Sequence, residues 1–336
     1  MQRRRWTFYE AIKFPSQYFR FPMRYASIDI GSNTVRLLLA ERSGKEDFHS
    51  LRVERKITRL GGNYSAREGL DGAAVLRTLK ALRGYARLLQ REKVEAIFAV
   101  ATGVVREAPN GQDFLERVRG FSDIPVRLIS GEEEAAFMWQ GVRWSLKENA
   151  SHRLAADMGG WSTEILWVEG GKPKRLQSLP LGVVDLGERF LHHDPPTADE
   201  LRGLEMHIRE TLEGSIAWLA GEGLPGKELH PYLVGTAGTM TTLAAIDLGL
   251  RVYDPEKISH HQMTFAGLQK MYHRLCSLTL WERAKVPGLE RGREDLIVPG
   301  TASVLGLLDV FRLQGVTVID SGLLEGVLLD GLSRLS

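Results

Sequence analysis

A single cysteine, Cys276, stands in the whole chain, so an internal disulfide and a cysteine-based zinc site are both excluded. The expected compartment is a reducing cytoplasm, and the expected role of Cys276 is a packed residue in a helix. No apolar run approaches the ~20 residues of a membrane span. Low-complexity linkers are missing too, and a 43% hydrophobic content is ample for a sizeable core, which excludes disorder for the bulk. Net charge is small, +2, but the balance is uneven. Residues 1–24 carry six basic groups against one acid, Glu10, while the remainder carries 38 basic and 41 acidic groups. The body is therefore no basic nucleic-acid binder. The leader, residues 1–23, mixes arginine with aromatics and lacks the apolar stretch of a signal peptide. It reads as a poorly ordered or non-native extension, with Met23 as an alternative start; the competing reading is a membrane-surface or RNA contact.

What is present is orderly alternation. "YASIDIG" and "VRLLLAE" read as strands flanking the tight turn Gly31-Ser32-Asn33-Thr34. Residues 71–92 carry Leu76, Leu79, Leu82 and Leu89 at helical spacing. Residues 94–102 and 124–130 read as strands, with a short helix between them. "SGEEEAAFMWQGVRW" opens a helix, since Ser130 and Glu133 have capping-box spacing; that alone accounts for Glu132 and Glu133. Further strands fall on either side of "DMGG", at 231–236 and in "VTVIDSG". Helices are expected at 180–191, 197–219, after Thr236, in "EDLIVPGTASVLGLLDVF" and in "LLEGVLLDGL". The alternation implies an α/β architecture of two domains, with a hinge around 135–150.

Asp157-Met-Gly159 follows Asp29-Ile-Gly31 by 128 positions, each trailed by polar residues and an apolar strand. The economical explanation is an internal duplication, two domains each opening on the same hairpin. Three turns, 29–34, 157–163 and 235–241, place glycine or small hydroxyl residues straight after strands. Small residues let backbone amides converge on phosphate oxygens, and a following helix N-terminus adds a favourable field. A solitary Asp-x-Gly ordinarily caps its own turn. A matched pair, Asp29 and Asp157, points instead to placement of a metal or water, with Glu164 contributing directly or through water; Mg²⁺ suits one or two carboxylates plus substrate phosphates. The pairs His192/His193 and His260/His261 lack the i, i+4 spacing of a helical metal site and read as surface histidines.

These motifs, in this order and spacing, resemble the exopolyphosphatase/guanosine-pentaphosphate phosphohydrolase (Ppx/GppA) family of the actin, sugar kinase and Hsp70 superfamily. The resemblance runs from about Arg24 to the C-terminus. "SIDIGSNTVRLLLAE", "ATGVVREAPNGQDFL", "LISGEEEAAF", "DMGGWSTE" and "GTAGTMTTLA" carry it. It implies two actin-like (ribonuclease H-like) α/β domains, 24–137 and 138–336, with an interdomain phosphate-binding cleft and a last helix that packs back on the first domain. By register it places the catalytic glutamate on Glu134 and a phosphate ligand on Arg106. It assigns substrate phosphate to Gly31, Ser32, Asn33, Thr34, Gly159, Gly160, Ser162, Thr163, Gly235, Thr236, Gly238 and Thr239. Asp29, Asp157 and Glu164 would serve Mg²⁺. The implied reaction is attack of Glu134-activated water on the terminal phosphoanhydride of polyphosphate or guanosine pentaphosphate; a homodimer is a further expectation. "ERGREDLIVPG" resembles a family segment near the cleft, so Arg291 and Arg293 are candidate polyanion contacts.

The chain departs from the family pattern at four positions. Trp161 stands for a third glycine, Ala136 for an arginine, Gly103 for a small hydroxyl residue and Ala237 for a glycine. Trp161 is the serious one, because a bulky residue at positive φ would force the loop to be rebuilt. Gly103 and Ala237 read as harmless small-for-small changes. Trp161 and Ala136 motivate a second reading, a non-catalytic polyphosphate or alarmone sensor. A third is a small-molecule kinase of the same fold.

Overall fold

The computed structural model describes residues 23–44, 47–146, 152–220, 230 and 232–335; the basic leader lies outside the described residues, apart from Met23. Two compact units emerge, Met1–Gly141 with Leu323–Ser336, and Val142–Gly322. The division falls inside a continuous helix.

The first unit opens with β1 (Arg24–Ile30), β2 (Thr34–Arg42) and β3 (Phe48–Ile57), an antiparallel meander. There follow α1 (Gly72–Arg91), β4 (Ala96–Ala101), α2 (Val104–Glu107), α3 (Gly111–Ser122), β5 (Val126–Leu128) and α4 (Gly131–Ser145). The sheet order is β3-β2-β1-β4-β5, with β4 parallel to β1 and β5 parallel to β4. The Asp71 side chain caps α1 by accepting from the Ala74 amide at 2.9 Å. Its buried stripe includes Val75, Leu79, Leu82 and Leu89, whereas Leu76 is turned to solvent, 52% exposed. At α4 the expected capping box forms. The Glu133 amide donates to Ser130 Oγ at 3.1 Å and the Ser130 amide to Glu133 Oε2 at 3.0 Å.

The second unit repeats the plan. It runs β6 (His152–Met158), β7 (Thr163–Glu169), β8 (Lys172–Leu179), α5 (Val183–Phe190), α6 (Ala198–Ala220), β9 (Tyr232–Thr236), α7 (Ala237–Asp247) and α8 (Pro255–Ile258). It continues through β10 (Gln262–Thr264), α9 (Phe265–Cys276), α10 (Leu280–Arg283), α11 (Ile297–Val310) and β11 (Gly315–Val318). Its sheet order is β10-β11-β9-β6-β7-β8. The chain ends with α12 (Leu323–Arg334), which returns to the first unit. There Leu324, Leu328 and Leu332 pack with Tyr25 and Leu38, and Ser27 Oγ donates to the Leu324 carbonyl at 2.7 Å.

The two meanders agree in detail. The Gly31 amide closes its turn on the Thr34 carbonyl at 3.1 Å, and Gly159, 128 positions on, closes on Ser162 at 2.9 Å. Asp29 pairs with Arg36 as Asp157 pairs with Glu164. An irregularity between Leu39 and Ala40 in β2 recurs between Trp167 and Val168 in β7, again 128 positions on. The duplication seen in ten residues of sequence thus extends along both hairpins. Sequence patterning missed β3 and β8 because both are edge strands with largely solvated residues, so neither shows an apolar alternation.

Candidate functional site

The candidate anion-binding element of the first unit is the turn between β1 and β2. Its carbonyls are turned away from any ligand. The Ser32 carbonyl accepts from the Gly61 amide at 2.7 Å, and the Asn33 carbonyl accepts from Thr58 and Arg59 at 3.0 and 2.9 Å. The amides of Ser32 and Asn33 donate to no acceptor among the described residues. Unspent amides on a turn whose carbonyls point elsewhere are what an anion-binding nest requires. The Gly31 amide, by contrast, is consumed in closing the turn. Ser32 Oγ accepts from the Val104 amide at 3.1 Å and so fastens the turn to the segment after β4.

That segment brings Arg106 to Glu134. Arg106 Nη1 donates to Glu134 Oε2 and to the Ile129 carbonyl, each at 3.1 Å. Glu134, near the start of α4, is 8% exposed. Arg106 Nη2 has no acceptor among the described residues. The two residues that sequence register singled out are therefore ion-paired in one unit. Gly103, just upstream, adopts φ 48° and ψ −119°. Only glycine enters that region readily, so its presence is a conformational requirement and not an incidental exchange of small residues.

Asp29 is clamped by Arg36, whose Nε and Nη2 both donate to Oδ2, at 3.0 and 2.8 Å. Asp29 Oδ1 and Asn33 Oδ1 are sealed from solvent and have no partner among the described residues. Sequence reasoning overlooked Arg36, although its seven-residue offset from Asp29 repeats that of Glu164 from Asp157.

In the second unit the turn between β6 and β7 has the same design. The Gly159 and Gly160 carbonyls accept from Val183 and Val184, at the start of α5, at 3.1 and 2.8 Å. The amides of Gly160 and Ser162 donate to no acceptor among the described residues. None of Gly159, Gly160 and Trp161 has a positive φ, so the feared backbone conflict at Trp161 does not arise. Gly182 passes close to this turn, and a Cβ there would fall on the Trp161 backbone. The Thr163 hydroxyl donates to the Leu181 carbonyl at 2.7 Å and holds the chain after β8.

Asp157, on β6, faces Glu164, on β7, directly across the hairpin, and both are buried. Glu164 Oε1 accepts from Ser162 Oγ at 2.8 Å and from Ser178 Oγ at 2.7 Å. The carboxylate oxygens of Asp157 and Glu164 are hard donors of the kind a divalent ion takes. Among the described residues no three His, Cys, Asp or Glu side chains form a ready-made cage, so such an ion would complete its shell with phosphate and water.

The third turn leads into α7. Thr236 occupies the N-cap without a side-chain cap bond; its hydroxyl donates to the Ser321 carbonyl at 3.0 Å. Thr236 is thus also structural, and Gly235 is needed because a Cβ would run into Met240 and Val316. The first amides of α7 are left for an anion, and the Thr239 hydroxyl donates to no acceptor among the described residues. Ala237 sits at φ 71°, a strained value for any residue but glycine, so its replacement of glycine is not neutral. Arg293 is buried beside this turn, and a Cβ on Gly238 would fall on its guanidinium.

The histidine pairs serve structure. His193 Nδ1 donates to Glu200 at 2.9 Å, Glu200 also accepts from the His192 amide, and His261 pairs with Asp247 at 2.7 Å. Cys276 is buried in α9, and burial pushes its thiol up to about 11. No helix among the described residues is long and apolar enough to cross a membrane.

Comparison with known proteins places this geometry. The sequence profile of the Ppx/GppA phosphatase family matches residues 38–335. Exopolyphosphatase 2 of Mycobacterium tuberculosis is 32% identical over 319 residues, covering 91% of this chain and 98% of that protein. The crystal structure of the Aquifex aeolicus Ppx/GppA family member is 32% identical with a TM-score of 0.77, covering 94% of this chain and 99% of that one. An exopolyphosphatase from Cytophaga hutchinsonii is 26% identical with a TM-score of 0.82, over 92% of this chain and 98% of that one. The fold is the two-domain actin-like α/β fold of these proteins.

Proposed function

Because this chain belongs to the Ppx/GppA phosphatase family, we propose that it hydrolyses the terminal phosphoanhydride of inorganic polyphosphate or of guanosine pentaphosphate. The observation that carries the reading is the Arg106–Glu134 ion pair, fastened through Val104 and Ser32 to a turn with unspent amides. Glu134 accepts a proton from water as the water oxygen bonds to the terminal phosphorus. The bridging P–O bond breaks, and orthophosphate leaves a chain shorter by one phosphoryl group. Arg106 holds the carboxylate through Nη1 and offers Nη2 to a phosphoryl oxygen. In the second unit the amides of Gly160 and Ser162, the start of α7 and Arg293 offer the same chemistry to phosphate.

Asp157 and Glu164 would hold Mg²⁺, with Asp29 Oδ1 as the corresponding oxygen of the first unit. When bound, the ion neutralises charge on phosphoryl oxygens. The reading is tested by phosphate release from tripolyphosphate and from guanosine pentaphosphate with Mg²⁺. Glu134→Gln should lower turnover by about 10²–10⁴-fold while leaving the melting temperature within a few degrees. Tight binding by the wild type without release would establish the sensor reading instead, and phosphorylation of an acceptor at the expense of ATP would establish a kinase.

A further inference from the structure

Arg293 lies against the N-terminal end of α7, where backbone amides already create a positive field. A buried cation in that place is unfavourable unless an anion shares the site. Its side chain is 10% exposed, and its charge is paired with Glu290, yet only part of its hydrogen-bonding capacity is used. Nε donates to Glu290 Oε2 at 2.7 Å, while Nη1 and Nη2 have no acceptor among the described residues. Those two nitrogens are the ones that crowd Gly238, where any Cβ would displace them. The adjacent Glu294 is turned to the Gly292 amide at 2.9 Å and makes no bond to Arg293.

We propose that Glu290 is a positioning residue for phosphate binding, acting through Arg293. By holding Nε, it fixes the plane of the guanidinium and leaves Nη1 and Nη2 as an end-on pair for two oxygens of one phosphoryl group. A guanidinium supplies such a fork in rigid geometry, whereas an untethered arginine must lose side-chain freedom on binding. The proposal rests on the reading of the second unit as a phosphate site.

Charge and geometry predict opposite signs here, which makes the idea testable. A carboxylate near a polyanion repels it, so if Glu290 acted only as a charge, removing it would tighten binding. If it orients Arg293, removing it weakens binding. The experiment measures tripolyphosphate and orthophosphate dissociation constants by calorimetry, in EDTA so that hydrolysis does not intervene. Wild type, Glu290→Leu, Glu290→Gln and Arg293→Ala are compared, with melting temperatures as the control for folding.

Glu290→Leu should weaken tripolyphosphate binding roughly tenfold. Glu290→Gln, which keeps an oxygen able to accept from Nε, should lose less. In the Mg²⁺ reaction the Leu variant should raise KM more than it lowers kcat. Wild-type or tighter binding by Glu290→Leu, with Arg293→Ala weakened, overturns the positioning role alone. Wild-type binding by Arg293→Ala overturns the phosphate reading of this turn as well. Should the Leu variant fail to fold, Glu290→Gln decides: weakened binding supports positioning, and tightened or unchanged binding overturns it.

Discussion

Asp29 and Arg36 face each other across the first hairpin, with both Nε and Nη2 of the arginine on a single carboxylate oxygen at 3.0 and 2.8 Å. At the same two places of the second hairpin stand Asp157 and Glu164. One duplicated frame therefore carries an internally neutralised acid in one unit and a pair of acids in the other. Removing the arginine should leave a buried carboxylate uncompensated. Arg36→Gln is expected to cost about 2–3 kcal/mol in urea unfolding, and Asp29→Asn in the same chain should recover part of that loss.

Ala237 holds φ 71° at the start of α7. Left-handed backbone costs a non-glycine residue ~1–2 kcal/mol, from which the greater chain freedom of glycine subtracts part. Ala237→Gly should raise stability by about 0.5–1 kcal/mol. Thermal or urea unfolding without any gain would show that the turn relaxes around the methyl group.

Gly103 makes the opposite prediction. Its φ and ψ lie outside the territory of other residues, so Gly103→Ala should destabilise by roughly 1–3 kcal/mol. Because the segment also carries Val104, bonded to Ser32, and Arg106, turnover should fall more than stability alone explains. A variant with full activity and an unchanged melting point would contradict this account.

Trp161 needs no positive φ, so its replacement by glycine should not awaken a silent enzyme. Trp161→Gly is expected to leave kcat within a few-fold while costing about 1 kcal/mol through lost side-chain burial and a freer unfolded chain. A large gain in phosphate release on this single change would sink the argument.

Acid stability should report on Glu200. Hydrogen bonds from His193, and then from the Thr197 amide, hold its carboxyl down at about 2. A depressed carboxylate contributes stability that is present above its unfolded value and is lost as pH falls toward the folded one. Between pH 4.5 and 2 the wild type should therefore lose more stability than Glu200→Gln, as read from urea midpoints across that window. Parallel losses in the two proteins would remove Glu200 from the acid transition.

The sequence by itself determined the alternation of strands and helices, the duplicated Asp-x-Gly hairpins and the capping box at Ser130 and Glu133, while Arg106 and Glu134 were singled out through the family resemblance. The first three are written in local spacing, since helix caps, tight turns and period-2 or period-3.6 patterns act over a few residues. Tertiary structure decided what each polar group does once the chain has closed on itself. It assigned the hydroxyls of Thr163 and Thr236 to the distant carbonyls of Leu181 and Ser321. It set Arg36 on Asp29, packed Gly182 against the Trp161 backbone, and laid Arg293 over Gly238. It also fixed the φ values that make Gly103 necessary and Ala237 strained. The division has a physical reason. A buried donor or acceptor must find a partner wherever the fold brings one within about 3 Å, and that partner can lie anywhere along the chain.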